Sequence, residues 1–296
     1  MTAAVVVGGT MVRGSASSNG SDGTVLRPVP GAPVLELRSE GHPATLVIAD
    51  LHLGLGASDR IVEGPPEASA RGMARSLLDL ADRTGARGLV IAGDVKHPIL
   101  GTPRALGPVI FDFFSDLLRG GLAVDVVLGN HDVGLVRHLP REVGVHPASG
   151  TIVHGVGIFH GHRWPSNRLL GARTLVAGHL HPGFRLAAGP EEASGKHRCW
   201  VRVSFPIPAA KPRRRRRRHA PLRAREMIVL PAFNPISGTE ALNRERPRRG
   251  RSFLFSRFLA RGEARAYLLD GTDLGPIPTG KVGRPKRSPP RARPDR

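Results

Sequence analysis

Residues 44–54 read ATLVIADLHLG: a nearly continuous apolar run from Ala44 to Ala49 that ends on Asp50, Leu51 and His52. The same arrangement returns four times downstream. Leu89 to Ala92 precedes Gly93-Asp94, and Val124 to Leu128 precedes Gly129-Asn130-His131-Asp132. Val156 to Phe159 precedes His160-Gly161-His162, and Arg173 to Ala177 precedes Gly178-His179-Leu180-His181. Strands covered on both faces, as in α/β proteins, read as unbroken apolar runs rather than alternating ones. If these strands lie side by side in one direction, their carboxyl ends share the edge at which open α/β sheets bind ligands. Two carboxylates, an asparagine and several imidazoles then converge. That mixture of hard oxygen and borderline nitrogen donors suits divalent first-row metals.

Spacing sharpens the expectation. Residues i and i+2 of an extended segment point to the same side, so Asp50 with His52, and His179 with His181, should face one site while Leu51 and Leu180 turn into packing. A dinuclear centre holds its ions about 3.5–4 Å apart and needs a bridging carboxylate. Asp94, alone after its strand with Gly93 permitting a tight turn, is the candidate bridge. Taken singly, Asp50 is as well explained as a turn residue or helix N-cap, and any one histidine as a core residue. The joint pattern carries the metal reading.

In order, Asp-x-His, Gly-Asp, Gly-Asn-His-Asp, His-Gly and Gly-His-x-His resemble the calcineurin-like metallophosphoesterase family, over roughly Ala44 to Ile236. The flanking strings from Ala49 to Gly54, Gly93 to His97 and Leu230 to Pro235 resemble the branch that includes ligase-associated DNA-damage-response endonucleases. This resemblance implies an α/β fold of layered α+β type, a β-sandwich of two mixed sheets flanked by helices. It also implies two divalent ions per chain, manganese foremost, with iron, zinc, nickel or cobalt as alternatives. Asp50, His52 and His181 would complete one shell around the shared Asp94; Asn130, His160 and His179 would complete the other. By the same resemblance a metal-bound hydroxide attacks phosphorus, and His131 stabilises the phosphoryl oxygens and protonates the leaving oxygen. Asp132 would orient the His131 ring, or cap a helix beginning at Val133. His162 falls on the loop as a phosphate contact, or exchanges roles with His160. Lys96 and His97 either line the substrate groove or form an exposed pair, and Arg163 is a further substrate contact.

Charge separates the core from its last third. The chain carries a formal net charge of +20, yet residues 33–200 hold 17 Lys/Arg against 16 Asp/Glu. Residues 201–296 hold 25 against 7. A like-charge block cannot pack on itself and belongs in solvent or on a polyanion. It is densest at Arg213, Arg214, Arg215, Arg216, Arg217 and Arg218, and in the tail from Gly280 to Arg296, where Arg284 and Lys286 belong to an AT-hook-like Gly283-Arg284-Pro285-Lys286 followed by Arg287. Phosphate neutralisation on nucleic acid is the functional reading; a solvated tail is the other. The expected activity is phosphodiester cleavage in DNA or RNA, with hydrolysis of a small phospho-compound (a cyclic nucleotide or nucleotide sugar) or non-catalytic nucleic-acid binding as alternatives. The resemblance alone suggests repair partners such as a helicase or ligase.

The single Cys199 rules out an internal disulfide and fits a reducing, cytoplasmic setting. No apolar stretch approaches the ~18 residues that span a bilayer, and the first residues make a poor signal peptide. The expected layout is a disordered segment over 1–32, one domain over 33–270 with a basic insertion over 206–225, and a disordered basic tail over 271–296. Apolar spacing predicts helices over 68–84 and 104–119. With the strands before Asp50, Asp94 and Asn130 they make a βαβαβ half, where crossovers favour parallel pairing. The later strands suit a second sheet of mixed direction. Within it Cys199 to Phe205 and Met227 to Leu230 form a hairpin, Ser252 to Leu259 packs as a short helix, and Ala264 to Leu269 is a last edge strand.

Overall fold

The computed structural model describes residues 23–56, 66–186, 195–206, 222–243 and 252–278. The first sheet holds six strands in sequence order: β1 (Val25–Pro28), β2 (Leu35–Arg38), β3 (Ala44–Ile48), β4 (Ala86–Ile91), β5 (Ala123–Val127) and β6 (Gly144–His146). Helix α1 (Pro66–Thr84) joins β3 to β4, and α2 (Leu106–Arg119) joins β4 to β5. These crossovers make β3, β4 and β5 parallel, and β6 adds parallel to β5, whereas β1, β2 and β3 pair antiparallel. The second sheet contains β7 (Thr151–Val153), β8 (Val156–Phe159), β9 (Thr174–Ala177), β10 (Pro182–Arg185), β11 (Lys196–Ser204), β12 (Glu226–Val229), β13 (Glu240–Ala241), β14 (Glu263–Leu268) and β15 (Asp273–Pro276). Here β8, β9 and β12 run parallel, and β11 pairs antiparallel with β10, β12 and β14. Two short helices, α3 (Asn167–Leu170) and α4 (Phe253–Arg257), accompany it.

The continuous apolar runs are explained by four layers. Along β3, Leu46 and Ile48 join the core under α1 and α2, while Val47 and Ala49 join the core between the sheets. Val90 and Val127 meet Ile158, Val176, Trp200 and Ile228 across that second interface. On the outer side, Met73, Leu77 and Leu80 of α1, with Ile110, Phe113, Phe114 and Leu117 of α2, present helical-period stripes to the first sheet. Leu169 of α3 and Leu254 and Phe255 of α4 cover the far face of the second sheet. The fold is therefore an α/β sandwich of two mixed sheets flanked by helices. None of the described helices is long and apolar enough to cross a membrane.

Several boundaries differ from expectation. Residues 25–28, placed in a disordered leader, form β1 and pair with β2. Residues 273–276, placed in the tail, form β15, so the strand expected at the sheet edge is covered: β14 lies between β11 and β15. Leu222 to Arg225, given to the insertion, are tied down, with Arg223 and Arg225 donating to the carbonyls of Leu170 and Arg173. No helix begins at Val133; a single 3-10 turn runs from Leu135 to His138. Residues 1–22, 207–221 and 279–296 lie outside the described residues.

Candidate metal centre

Six parallel strands, three from each sheet, end at one rim. Asp50 follows β3, Asp94 follows β4 and Asn130 follows β5, while His160 follows β8, His179 follows β9 and Asn234 follows β12. Three groups of ligating atoms each fall within 4.8 Å there: Asp50, His52 and His181; Asp94, His160 and His179; and His52, His97 and His131. His181 Nε2 stands 3.3 Å from Asp50 Oδ1 and 3.1 Å from His52 Nε2. His160 Nε2 stands 3.2 Å from Asp94 Oδ2 and 3.1 Å from Asn130 Oδ1. Asp94 Oδ2 also lies 3.9 Å from His52 Nε2, so this one oxygen faces both of the first two groups.

Convergence does not come from a pleat. Asp50 (φ 60°), His52 (φ 43°), Asp94 (φ 53°), His179 (φ 69°) and His181 (φ 44°) all take left-handed backbone conformations. The expected i, i+2 alternation is therefore replaced by consecutive tight turns beyond the strand ends. Only one other described non-glycine residue has a positive φ, His154 in the β7–β8 turn. Each such residue costs on the order of 1–3 kcal/mol and persists only where its surroundings over-determine it.

Those surroundings are visible. Asp50 N donates to Gly93 O, His52 N to Asp94 O and Leu53 N to Val95 O, at 3.0, 2.9 and 2.7 Å. The Asp50 carboxylate accepts from His179 N, and Asp94 Oδ1 accepts from His131 N at 2.9 Å. Two glycines let the loops close. A Cβ on Gly93 would lie 2.4 Å from His160 Nδ1, and one on Gly129 would lie 2.2 Å from Asp94 Oδ1.

The electrostatics suit a cation. His160 Nδ1 donates to Ala92 O at 2.8 Å and His181 Nδ1 donates to Gly238 O at 3.0 Å, which turns both Nε2 atoms toward the carboxylates. Burial opposes ionisation of Asp94, but the hydrogen bond and charge of His160 and the His131 N–H hold its carboxyl well below the usual range. Asp50 is held low in the same way, burial being outweighed by His181 and His160. Burial also pushes His52 and His179 down to about 4, against the attraction of the two aspartates. Buried His160 is raised to about 9, because attraction to Asp94 and Asp50 overcomes desolvation. Ionised carboxylates facing neutral imidazole nitrogens are the state a divalent ion binds.

The other site candidates sort themselves by position. His160, not His162, stands in the ligand group. The His162 ring lies beside it, 5.3 Å from His160 and 6.0 Å from His179, with a buried Nδ1 lacking a hydrogen-bond partner. His131 Nδ1 donates to His97 O, and its Nε2 lies 3.8 Å from Asp94 Oδ2. Asp132 does not orient that ring. Its buried carboxylate accepts from the N–H groups of Gly129 (2.8 Å), Asp94 (2.9 Å) and Val95 (2.9 Å), pinning the loops after β4 and β5 together. Lys96 is neither groove-lining nor exposed: it is fully buried, and its ammonium donates to the carbonyls of Pro98 and Gly101. The His97 ring stacks on His131 at 5.8 Å. Arg163 is exposed next to His162. The basic candidates Arg213 to Arg218, Arg284, Lys286 and Arg287 lie outside the described residues.

Sequence reasoning gave no role to Asn234. Buried, it donates from Nδ2 to Leu51 O at 2.9 Å and accepts the Ile236 N–H on Oδ1, clamping the Asp50–His52 turn. Arg198 braces the same loop through the carbonyls of Ala232 and Phe233. The signal for Asn234 was its place in the string from Leu230 to Pro235 at the end of an apolar run; Arg198 had none.

Searches with protein-family models and against curated protein sequences return no match. Among solved structures, the chain is similar to the nuclease MPE of Pseudomonas putida at 18% identity, with a TM-score of 0.49, over 84% of this chain and 100% of that one. It is also similar to Yfce, a phosphoesterase of E. coli, at 14% identity, with a TM-score of 0.32, over 80% of this chain and 99% of that one.

Proposed function

We propose that the chain is a metal-dependent phosphoesterase that holds two divalent ions, manganese foremost, and cleaves phosphodiester bonds in DNA or RNA. The observation that supports this reading is Asp94 Oδ2, which stands 3.2 Å from His160 Nε2 and 3.9 Å from His52 Nε2 and so faces both groups of candidate ligand atoms. Asp50, His52 and His181 would hold one ion, and Asn130, His160 and His179 the other, with Asp94 shared. Ions held there would withdraw charge from phosphoryl oxygens and lower the pKa of water from 15.7 toward about 7.

The chain's own residues do the rest. His131, anchored through Nδ1 to the His97 carbonyl, points Nε2 at the centre, where it can donate to phosphoryl oxygen and hand a proton to the departing alkoxide. Asp132 keeps the backbone of Asp94 and Gly129 in place, and the His131 N–H holds the Asp94 carboxylate through Oδ1. No Gly-x-Ser-x-Gly stands in the sequence to offer a serine nucleophile of that type. The excess of 25 Lys/Arg over 7 Asp/Glu in residues 201–296 favours a polyanionic diester over a small phospho-compound.

Turnover of bis-p-nitrophenyl phosphate with manganese, beside nuclease assays on single-stranded, double-stranded and nicked DNA and on RNA, tests the reading. Manganese-dependent hydrolysis of the small diester and of at least one nucleic acid is expected. A chain that binds no metal and hydrolyses no phosphoester would overturn it.

A further inference from the structure

Exposed arginines lie along the outer flank of the second sheet, from Arg163 beside the metal-ligand rim to Arg173 and Arg225, which precede β9 and β12 at the end of the strands away from that rim. Residues 163–173, which include α3, carry Arg163, Arg168 and Arg173, all exposed. Arg223 and Arg225 lie against them, since their N–H groups donate to Leu170 O and Arg173 O at 2.8 Å. Residues 252–262, which include α4, add exposed Arg257 and Arg261. That segment is fastened to the first by Trp164, whose ring lies 5.4 Å from Phe253 and 5.5 Å from Phe258, with the Arg261 guanidinium 5.9 Å above it. None of the three segments contains an aspartate or glutamate.

The opposite flank is different. Helix α1 mixes Arg71, Arg75 and Arg83 with Asp79 and Asp82; α2 pairs Arg119 with Asp116 and also carries Asp112. Two further arginine-rich stretches of sequence also join the chain at the basic flank. Residues 211–218 lead into Leu222, and residues 244–251, with five arginines, lead into Ser252. Arg163 connects flank to site, one residue after His162 and three after the ligand candidate His160.

We propose that this face, built by residues 163–173, 222–225 and 252–262, is the surface on which a polynucleotide backbone lies as it runs from the metal-ligand rim, passing Arg163 first. The proposal rests on the reading of the chain as a nucleic-acid phosphoesterase and adds where the substrate sits. Arginine forks suit phosphate oxygens, and each neutralised phosphate of duplex DNA contributes roughly −0.9 to the slope of log affinity against log salt. Trp164 serves as the pin that holds the two arginine-bearing segments together.

The test uses the full chain with Arg168→Gln, Arg173→Gln, Arg223→Gln and Arg225→Gln combined, beside the same four changed to Lys. Binding of a fluorescent 20-mer duplex is measured across a salt series, with bis-p-nitrophenyl phosphate turnover as the parallel readout. The glutamine variant is expected to lose at least tenfold in affinity at low salt and to flatten the slope by about 3. The lysine variant should retain most of both, and small-diester turnover should be unchanged. Unaltered DNA affinity and slope in the glutamine variant, while the wild type still hydrolyses the small diester, overturns the surface and leaves the proposed activity standing. The reverse result, DNA binding lost on this face in a protein that hydrolyses no phosphoester, upholds the surface and removes the activity.

Discussion

At the residue scale the site is defined by backbone strain as much as by ligand chemistry. Asp94 is low in pKa, faces both neighbouring groups of candidate ligands and is left-handed in conformation, so on the proposed reading Asp94→Asn should abolish manganese-dependent diester hydrolysis while the chain stays folded. His131→Ala should do the same without removing a ligand of either ion. Manganese titration separates the two: affinity falls in the first and holds in the second, and wild-type turnover in either variant sinks the assignment. Gly93 makes a different point. A methyl group there would press on His160 Nδ1 and force alanine to φ +89°, so Gly93→Ala should destabilise the protein by about 1–3 kcal/mol and weaken metal binding. Denaturant unfolding with and without manganese reads both effects. Lys96 was legible as a residue near the bridge but not as a strut. Its ammonium binds the carbonyls of its own loop, a contact set by a turn that sequence does not encode in any local pattern. Replacing it by methionine leaves both carbonyls unpaired and should cost about 1–3 kcal/mol.

At the element scale, the strands that carry ligands were legible because each is covered on two faces, which leaves an unbroken apolar signature. Helices α1 and α2 were legible from their period. Strands β1 and β15 were not: Val25–Pro28 and Asp273–Pro276 are four residues each and contain proline or glycine, which reads as loop until a partner strand supplies the hydrogen bonds. The i, i+2 argument does not describe how Asp50 and His52 come together: both have left-handed backbone conformations and are held by the loop after β4. The loop after β12 predicts its own experiment. Asn234→Ala removes the donor to Leu51 O and the acceptor for Ile236 N–H, so the turn bearing Asp50 and His52 loses its clamp. Manganese affinity should fall 10- to 100-fold, the range for residues that support ligands without touching the metal. Unchanged affinity by calorimetry would show that Arg198 and the backbone bonds of Phe233 are enough to hold it.

At the scale of the whole molecule, six parallel strands from two sheets deliver buried charge to one edge, and the protonation of that edge links folding to pH. In the unfolded chain each histidine titrates near 6.5. Folded His52 and His179, pushed down to about 4, stay neutral between those values, so the unfolded state binds more protons there and stability falls as pH drops from about 6.5 toward 4. His160, raised to about 9, acts in the other direction: its contribution is complete below 6.5 and is lost as pH rises through 9. His181 is raised too, by its contact with Asp50 after the opposing effect of burial, and adds to the alkaline limb. The chelated protein should therefore show a stability maximum near neutrality in urea unfolding from pH 4 to pH 9.5. On the proposed reading, a metal ion held by His160 and His181 would compete with their protons, so its binding should strengthen as pH rises and lift the alkaline limb most. At a free concentration of 100 Kd the gain is about 2.7 kcal/mol. A manganese-saturated chain whose stability profile simply parallels the chelated one would mean that the ion binds away from these imidazoles.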